Sequence, residues 1–84
     1  MLILCDFERL QTPDAVYDYL SEELGFPAYF GRNLDALHDC LTDVGTPTRL
    51  ILTGTASPSA QRFLPVIKDA AKRNRNLSVE LHEA

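Results

Sequence analysis

No stretch of this 84-residue chain approaches the ~18 consecutive apolar residues that would span a membrane. The opening run Met1-Leu2-Ile3-Leu4-Cys5 is short, lacks a basic flank and meets Asp6 at once. It does not read as an export signal, so a cytoplasmic location is expected. Cysteine is scarce: Cys5 and Cys40 are the two present. Without export they are expected as reduced thiols, acting as small buried apolar residues. No Cys/His spacing suits a metal, because His38 and Cys40 are i, i+2 on a helix and His82 is remote. The four glycines, at 25, 31, 45 and 54, are too scattered for a phosphate loop. Neither a metal nor a cofactor is therefore expected.

Eighty-four residues suggest a single domain, 1–84, with one small core. A hydrophobic content of 45% is too high for disorder. The net charge of −4 is unevenly spread. Residues 1–47 hold nine acidic and two basic side chains, and residues 48–84 hold three and six. The acidic half points to a basic partner, attracted at long range. The basic half leaves nucleic-acid binding as a minor alternative, which the overall acidity opposes.

Met1–Phe7 reads as a strand. Its unbroken apolar run suggests a strand covered on both faces or a well-packed start. Thr12-Pro13-Asp14 opens a helix, and Gly25 closes it. Val16, Tyr17, Leu20 and Leu24 form its apolar stripe, with Asp18, Glu22 and Glu23 facing solvent. A second helix follows Asn33 and is expected to end at Gly45. Arg49–Thr53 is a second strand. A third helix is capped by Ser57 or Ser59 and carries Pro65, which should kink it or mark where its regular part begins. Asn74 or Asn76 turns the chain into a last strand, Leu77–Leu81, whose alternation implies one wet face. The order β-α-α-β-α-β implies an α/β fold: a parallel three-stranded sheet with right-handed crossovers. Strand order 1-2-3 would put the helices on one side.

The organising stretch is Phe26–Val44, FPAYFGRNLDALHDCLTDV. Leu34, Leu37, Leu41 and Val44 mark one helical face. Asp35, Asp39 and Asp43 stack on another. Like charges at i, i+4 each cost about 0.2–0.5 kcal/mol on an isolated helix, and Asp43 gains nothing from the helix dipole. A solvated acidic face is the plain explanation. The adjoining loop, with Tyr29, Phe30 and then Gly31 to permit a turn, favours a recognition surface.

The string Tyr29-Phe30-Gly31-Arg32-Asn33-Leu34-Asp35-Ala36-Leu37-His38-Asp39-Cys40-Leu41 resembles the signature of the barstar family, intracellular inhibitors of barnase-type ribonucleases. The family pattern is an aromatic pair, Gly, any residue, Asn, Leu or Trp, Asp, Ala, an apolar residue, an aromatic and Asp. The resemblance extends more weakly over the whole chain. It implies a barstar-like parallel sheet in order 1-2-3 with helices packed on it. It also implies an inhibitor that blocks the active site of a small basic ribonuclease, its acidic helix standing in for phosphates. On that resemblance, Asp39 is the central carboxylate in the partner's cleft, with Asp35 beside it. Tyr29 stacks on the partner's catalytic histidine. Gly31, Asn33 and Leu34 shape the contact, and Asp69 on the last helix is a further acidic contact. Phe30, His38, Thr42 and Asp43 complete the candidate surface.

Two departures bear on partner choice. His38 stands where the family usually has a large aromatic, trading contact area for a titratable imidazole. Asp43-Val44 stands where Gly and an aromatic are frequent, adding a charge and removing a ring. Catalysis finds little support. Asp35 and His38 are i, i+3 and could pair, yet no nucleophile stands beside them. The paired carboxylates lack the contrasting surroundings that acid–base chemistry requires. A non-enzymatic ribonuclease inhibitor, monomeric when free, is the principal expectation. A module of the same fold for another basic protein is the alternative.

Overall fold

The computed structural model describes residues 1–82, so the last two positions of the expected 1–84 unit lie outside the described residues. The elements are β1 (Leu2–Asp6), α1 (Pro13–Leu24), α2 (Leu34–Thr42), β2 (Thr48–Thr53), α3 (Pro58–Arg73) and β3 (Leu77–Leu81). The strands form one parallel sheet in the order β1-β2-β3. Ile3 lies opposite Leu50, and Leu50 opposite Val79. Among the described residues no helix is long and apolar enough to cross a membrane.

Local chemistry sets the helix boundaries. The Thr12 side chain accepts from the Ala15 N–H at 3.1 Å, and Pro13 occupies the first turn. Gly25 closes α1 in the left-handed region, at φ 65°. There the N–H groups of Gly25 and Phe26 both donate to the Ser21 carbonyl. Asn33 Oδ1 accepts from the Ala36 N–H at 2.8 Å to start α2. Ser57 rather than Ser59 caps α3, and that helix continues through Pro65. Gly54 leaves β2 at φ 65°, where a Cβ would stand 2.8 Å from Glu8 Cγ and 2.9 Å from the Glu8 nitrogen. That close approach and that backbone conformation both require glycine.

Two expectations are corrected. β1 is covered on one face only: Ile3 and Cys5 are buried, whereas Leu2 and Leu4 are 57% and 59% exposed. Right-handed crossovers in strand order 1-2-3 place every helix on the same side, and nothing described covers the other. On that open face Arg49 pairs with Glu80, which also faces His82. Second, α2 ends at Thr42 with Asp43 as a right-handed cap, so Gly45 is not its terminator. At Gly31, expected to permit a turn, a Cβ would stand 3.2 Å from Asn33 Nδ2, and the positive φ of the loop falls on its neighbour Arg32 (51°). Arg32 is held there by its ion pairs, described below.

The core fills the space between sheet and helices. Phe63 of α3 stacks on Phe7 with ring centroids 6.3 Å apart, and meets Tyr17 of α1 edge-on at 5.3 Å. Leu37 and Leu41 bury the inner face of α2. Tyr19 donates its hydroxyl to the Leu4 carbonyl of edge strand β1. Cys5 lies within this layer, where burial, then the neighbouring Asp6 charge, pushes its thiol up to about 12.

The C-terminus of α2 depends on a distant side chain. Asn74, only 7% exposed, donates from Nδ2 to the carbonyls of Leu41 (3.0 Å) and Val44 (2.8 Å). Its Oδ1 accepts from the Asn76 N–H at 2.9 Å. Asn74→Ala would leave the Val44 carbonyl and the Asn76 amide without these partners and the Leu41 carbonyl with backbone donors alone, so a loss of about 1–3 kcal/mol is expected. Urea unfolding measures it, and a change under 0.5 kcal/mol would show that water replaces the amide.

Candidate docking surface

Residues 26–33 hang from the core by Phe26 and Phe30. Phe30 turns inward, meeting Tyr17 edge-on at 5.8 Å and Phe26 at 5.1 Å. Its N–H donates to the Pro27 carbonyl at 3.0 Å. Tyr29, next to it, is 84% exposed. Of the two aromatics, one anchors the loop and the other is presented.

Arg32 secures the far end of the loop. Its Nη1 lies 2.5 Å from Asp18 Oδ1 and its Nη2 3.2 Å from Asp14 Oδ1. The guanidinium carbon sits 5.9 Å from the centre of the Tyr17 ring. These contacts consume the one basic side chain of the loop on α1, so it is not spent on the carboxylates of α2. Asp18 is exposed as expected, and so is Asp14, but both are paired.

Asp35, Asp39 and Asp43 are all exposed. Asp35 lies in the first turn of α2, where the dipole favours it. Asp39 is within the helix, and Asp43 caps it. Thr42 donates its hydroxyl to the Asp39 carbonyl at 2.8 Å. The Asn33 side chain is committed to the cap and, at 3.3 Å, to the Gly31 carbonyl. Leu34 packs partly into the core. Tyr29, Asp35, Asp39 and Asp43 thus stand outward, while Phe30, Asn33 and Leu34 hold them in place.

His38 and Asp69, 31 positions apart, meet across the packed helices α2 and α3. His38 Nε2 lies 2.6 Å from Asp69 Oδ2, which Arg73 Nε also approaches at 3.0 Å. Asp69 therefore does border α2, but engaged with two cationic or cationisable groups. The spacing of Asp69 and Arg73 was readable as an i, i+4 pair. The pairing of His38 with Asp69 left no signal in the sequence, because it exists only through tertiary packing. His38 pairs with Asp69 and not with Asp35.

Beside the acidic face lies a groove of about 410 Å³, bounded by the Phe26–Tyr29 loop on one side and by Asp39, Asp43 and Val44 on the other. Cys40 also lines it, and its thiol is pushed up by burial and then by the charges of Asp43 and Asp39. This groove was not read from the sequence.

A parallel sheet in order 1-2-3, helices on one face and an acidic helix outward make this a barstar-like α/β protein. The chain belongs to the barstar family: the family model described as "Barstar (barnase inhibitor)" matches residues 1–82. It is also similar to a Bacillus subtilis (strain 168) protein named "Putative ribonuclease inhibitor YrdF", with 50% identity over 48 residues. That stretch is 56% of this chain, which spans about half the length, 50%, of that curated relative.

Ion pairing holds two carboxyls below their usual range. Asp69 is lowered by the hydrogen bond with His38 and then by that with Arg73; Glu80 is lowered by Arg49 and then His82. A carboxyl lowered in the folded state stabilises above its unfolded value, about 4, and that contribution disappears as pH falls through the folded value. Asp69→Asn should therefore make the melting temperature less sensitive to acid below about pH 4, with Glu80→Gln acting likewise. Melting curves between neutral pH and acid test this; slopes parallel to those of the parent protein would count against both pairs.

Proposed function

We propose that this chain inhibits a small basic barnase-type ribonuclease by placing the acidic face of α2, with Tyr29, in the partner's cationic cleft. The observation that carries this is the exposed Asp35 and Asp39 on one helix beside an 84% exposed tyrosine, in a member of the barstar family. Carboxylates set in a phosphate-binding cleft accept charge-assisted hydrogen bonds from Arg, Lys or His⁺. Asp39 is the central contact, Asp35 its neighbour, and Tyr29 the ring that packs on the catalytic histidine. Asp43, Thr42 and the His38–Asp69 pair form the border, with Gly31, Asn33, Leu34 and Phe30 shaping the loop. Residues 1–84 act as one inhibitory domain, monomeric and cytoplasmic, without a cofactor, a metal, a membrane or direct nucleic-acid contact. The commitment of Asp69 to His38 and Arg73 favours the second reading, a different basic partner, since it alters the border that a ribonuclease would meet.

Titration into a panel of barnase-type ribonucleases, with RNA cleavage followed, should show stoichiometric block of at least one. Full activity of every enzyme at excess inhibitor would leave the second reading in its place. Against a susceptible enzyme, association should slow as salt rises, because exposed charges are screened over about 8–10 Å at physiological ionic strength. Stopped-flow rates independent of salt would rule out steering by the acidic half.

Asp39→Ala should weaken the complex by about 2–5 kcal/mol, mostly through faster dissociation, a range for which the barnase–barstar pair is itself a reference case. Its melting temperature should not fall, since the change removes like-charge repulsion from an exposed face. Unaltered affinity, or early unfolding, would move the docking surface elsewhere.

A further inference from the structure

The groove beside α2 combines three properties that the acidic face alone lacks. It is concave, and its volume of about 410 Å³ falls within the range of sites that enclose a ligand group. Its walls are largely apolar, with Leu24, Phe26, Pro27 and Val44 among them. Its border carries Asp39 and Asp43, together with the exposed ring of Tyr29. Among the described residues lining it, none has a basic side chain. The amino group of Met1, another lining residue, is engaged with the Pro47 carbonyl at 2.7 Å.

We infer that this groove receives one arginine side chain of the protein partner, its aliphatic stem against Phe26, Pro27 and Val44 and its guanidinium against Asp39, Asp43 and Tyr29. The occupant follows from the lining. A long side chain that is apolar along its stem and cationic at its tip matches apolar walls under a carboxylate border. Between the two basic residues, arginine fits better. Its planar guanidinium can stack on an aromatic ring while its fork engages carboxylates, and an ammonium offers only a compact, strongly hydrated charge. Asp43 and Val44 give the groove its character: a carboxylate at 43 supplies charge, and the small side chain at 44 leaves the space that a ring would fill. The groove adjoins Asp39 and so continues the surface described above. The inference rests on that reading for the identity of the partner, although the groove's preference can be measured without one.

The test uses the full chain labelled with ¹⁵N and two uncharged-backbone probes, N-acetyl-arginine methylamide and N-acetyl-leucine methylamide. The arginine probe should produce saturable shifts at Tyr29, Cys40, Asp43 and Val44 in the millimolar range, and the leucine probe should not. Asp43→Asn, which keeps the shape, and Val44→Trp, which fills the space, should each weaken arginine binding at least fivefold without lowering the melting temperature. In the complex, the same variants should weaken inhibition of a susceptible ribonuclease about tenfold. Shifts absent at tens of millimolar, equal shifts with both probes, or shifts unchanged in both variants would overturn the inference. If no ribonuclease is inhibited by the parent protein, the proposed function fails while the probe titration still decides the groove.

Discussion

The buried amide of Asn74 joins parts of the chain that no local rule connects. Its two N–H donors meet the carbonyls of Leu41 and Val44, and its oxygen takes the Asn76 N–H. One side chain thus finishes α2, orients the turn into β3 and ties α3 to the helix beside it. Buried polar groups are costly when unpaired and orienting when fully paired. Among the described residues no buried side-chain nitrogen or oxygen lacks a partner. The acidic helix can therefore carry its mutual repulsion outward because its inner face and its end are held from within.

The one-sided sheet complements this arrangement. With all three helices on one face, α2 packs against α3 and turns its carboxylates away from the core. Positive charge near it is already allocated: Arg32 to Asp14 and Asp18, Arg73 to Asp69. The negative potential of the outward face is preserved by these local pairings. Surface ion pairs of this kind add little stability; here they determine where uncompensated charge remains. Tyr29 is presented by the same logic, since Phe26 and Phe30 on either side of it are held by aromatic contacts.

Much of this was legible in the chain. Thr12, Asn33 and a serine at 57 or 59 marked the helix starts because capping is local chemistry. The β-α-α-β-α-β order pointed to a parallel sheet with right-handed crossovers, and the barstar resemblance supplied the strand order 1-2-3. The Tyr29–Leu41 string carried the family. What was not legible depends on tertiary packing. The apolar run of β1 concealed that Leu2 and Leu4 face outward, since coverage depends on which side the crossovers pass. The positive φ at Arg32, beside Gly31, had no local signal, because ion pairs to α1 sustain it. His38 meeting Asp69, Asn74 reaching α2, and the groove behind Asp43 each join residues from separate elements, beyond the reach of helical or strand periodicity.

The central position of β2 has a kinetic consequence. Leu2 pairs opposite Arg49, 47 positions on, and Thr48 opposite Leu77, 29 positions on. The closure entropies of two such loops differ by only about 0.4 kcal/mol, so loop length hardly favours either pairing. The second crossover, however, brings α3 and Asn74, the groups that finish α2. During synthesis the emerging chain can form the acidic helix early, but its last turn lacks the Asn74 amide until that segment has appeared. Residues near the end of the chain thus complete a helix near its middle.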